Sequence, residues 1–99
     1  MTVTSVLRLL PYPDRAADVE RLFAELEIFE HSRRSGGFLG GRLLRPLAGG
    51  EPFVVIAEWE DAKAYQGWLD NPVRAEIGEH LEPLLDQDVT SGQLYEEIL

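Results

Sequence analysis

An α+β fold with the order β-α-β-β-α-β, a ferredoxin-like sandwich, is predicted by three features of this 99-residue sequence. A β-branched run from Val3 stops at Pro11-Tyr12-Pro13 and gives way to apolar residues at helical spacing. Two further strand-like runs, Phe38 to Leu47 and Phe53 to Ala57, are joined by Ala48-Gly49-Gly50-Glu51. Asn71-Pro72 then opens a late helical region, an N-cap residue followed by proline at the first helical position.

Each element has its own local reason. Val3 to Leu10 reads as a strand because it is rich in β-branched residues and is ended by prolines. Asp14 is the expected N-cap of the first helix, with Asp18 and Glu20 favourably near its N-terminus. Val19, Leu22, Phe23, Leu26 and Phe29 mark one face of a single helix that ends at Ser35-Gly36-Gly37. Gly40-Gly41 inside the second strand points to a bulge or a close backbone approach. Phe53-Val54-Val55-Ile56-Ala57 is apolar on both faces, as a central strand covered on both sides would be. Asp61 is the expected cap of a short helix holding Ala62, Ala64, Tyr65 and Trp68. Val73, Ile77, Leu81 and Leu84 form one face of the next helix, which Pro83 ends or kinks. Asp88 to Leu99 alternates loosely and reads as a last strand.

Composition excludes several functions. The length fits one domain, residues 1–99, whose folding buries roughly two-thirds of the unfolded surface. With 44 % hydrophobic residues, the chain is too apolar for disorder, and no run approaches the ~20 apolar residues of a membrane span. The absence of cysteine removes disulfides, thiolate metal sites and thiol nucleophiles together. A net charge of −9 argues against nucleic acid as a partner, because phosphate binding needs clustered Lys and Arg. Arg8 and Pro11 interrupt the first apolar run, so no secretory signal is expected and the chain reads as cytoplasmic.

The fold class carries a consequence for assembly. Helices cover only one face of a two-layer sandwich, yet the third strand is apolar on both faces. The first strand sets Val6 and Leu10 opposite Leu7 and Leu9, and the last sets Leu94 and Ile98 opposite Val89 and Tyr95. A second copy of the sheet is the simplest cover, so a homodimer is expected.

At this point the residues resemble a known family. Trp59-x-x-x-x-Ala64-x-x-x-Trp68, followed by Asn71-Pro72-Val73-Arg74, is similar to the antibiotic biosynthesis monooxygenase (ABM) family, whose members are dimeric α+β barrels of about this length. Asp61 fills the family's capping slot, and Lys63 stands where an acid is common. Glu30-x-Ser32-Arg33-x-x-Gly37-Phe38 looks like the family's helix-to-strand junction. The resemblance implies one of two chemistries. One branch oxidises phenolic or anthrone-type compounds with O2 and neither metal nor flavin. The other binds and degrades haem, using an Asn on the first strand, a Trp after the third strand and a His about ten residues beyond it. Trp68 matches that Trp, but Leu7 stands at the Asn position, Gly78 stands about ten residues past Trp68, and the nearest histidine is His80. Two of three residues are absent, which disfavours haem degradation.

The residues able to carry chemistry are few. His31 and His80 are the only histidines, too few and too far apart in this reading for a facial metal triad, so no metal and no cofactor is expected. Gly36-Gly37-Phe38-Leu39-Gly40-Gly41 lacks the spacing of a nucleotide loop and precedes a strand, so it reads as a turn plus a bulge. The serines stand in no nucleophile-elbow context, and Glu76, Glu79 and Glu82 read as a solvated helix face. What remains is aromatic and apolar. Trp68 is the leading candidate, a large ring whose N–H can donate to a ligand oxygen, with His80 or Tyr65 handling a proton. Leu7, Phe23, Phe38, Trp59 and Ile77 are the candidate pocket lining, and Arg74 can pair with an anionic substrate oxygen. Core packing is an equally good reading for Trp59 and Phe23. The expected function is therefore a cofactor-independent oxygenase acting on a small electron-rich aromatic, polyketide-like or quinol-like. A non-catalytic dimeric module that binds an aromatic ligand or another protein is the alternative.

Overall fold

A computed structural model describes residues 1–99 as one four-stranded antiparallel sheet with its helices on one side. The elements are β1 (Val3–Leu9), α1 (Ala16–Glu25), α2 (Ile28–Ser35), β2 (Phe38–Leu44), β3 (Phe53–Trp59), α3 (Ala62–Leu69), α4 (Pro72–Leu81), a 3-10 turn (Glu82–Leu84) and β4 (Ser91–Glu96). The strand order β2-β3-β1-β4 is that of the ferredoxin-like sandwich.

Register decides which side chains meet the helices. Ser5 pairs with Ala57, and Leu7 with Val55, so these residues share the helix side with Val3, Leu9, Phe53 and Trp59. Val6 pairs with Ile56 and Arg8 with Val54 on the opposite face, which no helix covers. The core lies on the helix side, where Val19, Phe53, Trp59 and Leu9 are almost fully buried.

Local chemistry explains most boundaries. The Asp61 carboxylate accepts from the Ala64 N–H at 2.8 Å and starts α3. The Asn71 side chain accepts from the Val73 N–H at 3.0 Å and Pro72 begins α4. The ladder between β2 and β3 shifts register between Phe38 and Gly40, which is the expected bulge. Gly41 lies under the Phe29 ring, and a Cβ there would come within 2.6 Å of it. Gly37 has a φ of +72°, and its Cβ would meet Ala64 at 2.4 Å.

Three expectations are corrected. Asp14 does not cap α1; it adopts a left-handed conformation (φ 70°) in the turn after the prolines, and the helix starts from Arg15 without a side-chain cap. The single first helix is two, broken at Glu27 (φ 49°), which redirects the chain so that Ile28 and Ser32 are buried. The last strand is shorter than Asp88 to Leu99: Val89 lies in a turn whose N–H donates to the Asp86 carbonyl, and Ile98 lies in the exposed tail.

Candidate functional site

A cavity of about 220 Å³ lies between the helix face of the sheet and the helices. Its floor is the inward side of the two central strands, Ser5, Leu7 and Leu9 from β1 with Val55, Ala57 and Trp59 from β3. Phe23 of α1 and Ile28, Phe29 and Ser32 of α2 form one wall. Tyr65 and Trp68 of α3 form another, and Arg74, Ile77, Gly78 and Leu81 of α4 complete the ring. Most of the lining is apolar, so a ligand's carbon skeleton gains by leaving water there. No helix of the molecule is long and apolar enough to cross a membrane.

The aromatic rings form a continuous chain. Phe23 and Phe29 have centroids 6.1 Å apart, Phe29 and Phe38 6.1 Å, Phe38 and Trp59 5.1 Å, and Trp59 and Tyr65 5.7 Å. Edge-to-face and offset contacts of this kind hold rings rigid. The break at Glu27 is what brings Phe29 into this chain, beneath α2 and over Gly41.

The two tryptophans differ in what their N–H groups do. Trp59 is 1 % exposed and its N–H donates to the Ser5 hydroxyl at 3.1 Å. Ser5 in turn faces the Ala57 carbonyl at 3.5 Å, and Ser32 donates to the Ile28 carbonyl at 2.9 Å. No side chain takes the Trp68 N–H or the Tyr65 hydroxyl, and no buried side-chain nitrogen or oxygen lacks a partner, so both groups face open space.

Of the residues singled out from the sequence, Leu7, Phe23, Trp59, Tyr65, Trp68, Arg74 and Ile77 line this one cavity. Two do not. Phe38 sits behind the wall, stacked on Phe29, with the Arg33 guanidinium 5.7 Å from its ring centroid. His80 is exposed: at about 100° per residue, Gly78 and Glu82 fall on the cavity side of the Ile77–Leu81 ridge and His80 on the other. Sequence reasoning passed over Ser5 and Ser32. Ser5 was legible, since it alternates with Val3, Leu7 and Leu9, whereas Ser32 depends on the helix break.

The side chains present do not fit a histidine-held haem. The cavity offers no imidazole, thiolate or thioether, and Leu7 and Gly78, which line it, are the residues at the Asn and His positions of the haem-degrading pattern. Tyr65 is its single phenol.

Residues 2–79 match the sequence model of the antibiotic biosynthesis monooxygenase family. The chain belongs to the ABM family. Among ABM-fold structures it is similar to SnoaB, a cofactor-independent oxygenase from Streptomyces nogalater, at 26 % identity and a TM-score of 0.82 over 99 % of this chain and 94 % of that one. It is also similar to the heme-degrader MhuD from Mycobacterium tuberculosis, whose structure holds two hemes in its active site, at 28 % identity and a TM-score of 0.77 over 98 % and 96 % of the two chains. A curated relative, the heme oxygenase (mycobilin-producing) of Mycobacterium tuberculosis, is 41 % identical over 51 residues. That match spans 50 % of this chain and about half the length of the relative, 49 %. The ABM fold is thus shared with proteins of both chemistries.

Proposed function

We propose that this ABM protein is a cofactor-independent oxygenase that oxidises a small, planar, electron-rich aromatic, of the phenol, quinol or anthrone type, with O2. The observation that carries the reading is the cavity: apolar, walled by Trp59, Trp68, Tyr65 and Phe23, and without an imidazole to hold haem iron. The likeness to SnoaB over nearly the whole chain supports it.

The substrate supplies the electrons. An activated CH2, present as such in an anthrone and in the keto tautomer of a phenol or quinol, loses a proton, and the carbanion passes an electron to O2. Recombination forms a C–O bond, and the resulting hydroperoxide loses water as the O–O bond and the remaining C–H bond break. The carbon ends as a carbonyl, one oxygen atom is in the product and the other in water, and all four electrons come from substrate. The protein's part is to exclude water and to offer fixed donors to the developing oxyanion. Trp68 N–H is assigned the donor role and Tyr65 the proton transfer, since both residues line the cavity, neither polar group has a partner within the chain, and His80 stands outside it.

The test is turnover of dithranol under 18O2. One labelled atom in the product and one in water supports the reading. Ligand binding without O2 consumption identifies a non-catalytic binding module instead, and a Soret shift with added haem turns the reading to the haem branch.

We also infer that the protein is a homodimer formed through the open face of the sheet, where Val6, Val54 and Ile56 lie partly covered and Leu44 and Tyr95 are exposed. Light scattering is expected to give twice the chain mass, and Ile56→Asp to give the single-chain mass.

A further inference from the structure

We propose that Arg74 makes one end of the cavity an anion subsite, so that the aromatic taken there carries a carboxylate. The inference rests on the reading of the cavity as the substrate site, and it names the class of substrate.

Arg34, Arg42 and Arg74 take part in no ion pair; Arg34 and Arg42 are exposed, and Arg74 alone of the three is half-buried. Arg15, Arg21, Arg33 and Arg45 each hold a carboxylate, and Arg8 donates to the Gln93 side chain. The chain has 18 acidic residues against 9 basic ones, so partners are plentiful. Arg74 is half-buried on the cavity wall, yet it takes part in none of the molecule's ion pairs. Its position adds a second penalty. Arg74 lies in the first turn of α4, a turn without an acidic residue, where the helix dipole disfavours a cation and favours an anion. A partly desolvated guanidinium with no counter-charge is a recognition group awaiting one.

The rest of the stripe gives the subsite room and polarity. Gly78 follows Arg74 by one turn, and Glu82 follows Gly78 by another; all three line the cavity. Arg74 and Glu82 stand about two turns apart along this stripe, and no ion pair joins them. Between them Gly78 has no side chain, and the nearest atom to a Cβ built there is Glu82 Oε1 at 3.7 Å. The result is a gap with a cation at one end and a carboxylate at the other. A ligand whose rings lie against Trp68 and Tyr65 presents its carboxylate to Arg74, and Glu82 repels an acid placed the other way round.

Calorimetric titration without oxygen separates this subsite from catalysis. The probes are 1,4-dihydroxy-2-naphthoic acid and its uncharged methyl ester. The wild type is expected to bind the acid about tenfold tighter than the ester, as a charge-assisted pair would give. Arg74→Gln is expected to bring the acid to the ester's level while leaving the ester unchanged, and Arg74→Lys to retain part of the preference. Added salt shrinks the acid's advantage. Equal binding of acid and ester by the wild type overturns the subsite alone. Equal loss of both probes in Arg74→Gln, with Arg74→Lys no better, marks Arg74 as structural and overturns it too. Failure of both probes to bind removes the cavity as an aromatic site and the proposed function with it.

Discussion

The indole N–H of Trp59 donates to the hydroxyl of Ser5 at 3.1 Å, tying β3 to β1 under the floor of the cavity. Both residues are buried, Trp59 almost completely. Ser5→Ala leaves that N–H without a partner and is expected to cost about 1–3 kcal/mol. A lower urea midpoint at unchanged slope checks this. An unchanged midpoint means water or another group takes the N–H.

Trp68→Phe is expected to behave in the opposite way. Its N–H has no partner within the chain, so its removal strands nothing. Stability should fall less than in Ser5→Ala, whereas affinity for a phenolic ligand should fall about three- to tenfold, the equivalent of roughly one hydrogen bond. The pair of variants thus separates a tryptophan that holds the floor from one that meets the ligand.

Gly41→Ala places a methyl group where the Phe29 ring lies, within 2.6 Å, and Gly37→Ala adds a left-handed backbone to a 2.4 Å encounter with Ala64. Overpacking of this kind costs about 1–3 kcal/mol, and Gly37→Ala is expected at the upper end because its backbone is strained as well. Gly40→Ala, with open space around it, is expected to cost less than either. Thermal midpoints of the three variants give the ranking.

Glu20 and Arg45 join α1 to the segment after β2. The hydrogen bond from the Arg45 guanidinium, aided by its charge and opposed by slight desolvation, holds the Glu20 carboxyl below the usual carboxylate range. A depressed carboxylate adds stability above the range where an unfolded glutamate titrates, and loses it as pH falls through the folded value. The wild type should therefore exceed Glu20→Gln in thermal midpoint above about pH 6 and converge with it in strong acid. Both carboxylate and guanidinium are solvent-facing, so salt should narrow the gap.

Legibility followed the range of the interaction. Asp61 and Asn71-Pro72 announce helix starts through bonds within three residues, and both caps stand as read. Gly40-Gly41 pointed to a bulge or a close approach; the register shifts between Phe38 and Gly40, and the Phe29 ring lies against Gly41. The break at Glu27 had no such signal: Glu25-Leu26-Glu27-Ile28 contains neither Gly nor Pro, and the left-handed turn serves the packing of Ile28 and Phe29. That hidden break is why Ser32 and Phe29 were absent from the anticipated lining. His80 was misplaced for a related reason: three residues after Ile77 is the flank of the stripe away from the cavity, and the side of α4 that opens is set by Gly78.

Gly78 also provides the most direct test of the central claim, that oxidation takes place inside this cavity. A Cβ at Gly78 meets nothing closer than 3.7 Å, and replacing a helical glycine with leucine gains up to about 0.8 kcal/mol of helix propensity. Gly78→Leu should therefore fold at least as well as the wild type while filling the gap between Arg74 and Glu82. The decisive measurement is O2 uptake with dithranol by the two proteins, corrected for the uncatalysed rate. The wild type is expected to consume one O2 per product, and a folded Gly78→Leu to take up O2 near background. Equal rates for the two proteins, or no enzymatic uptake by the wild type, contradict it.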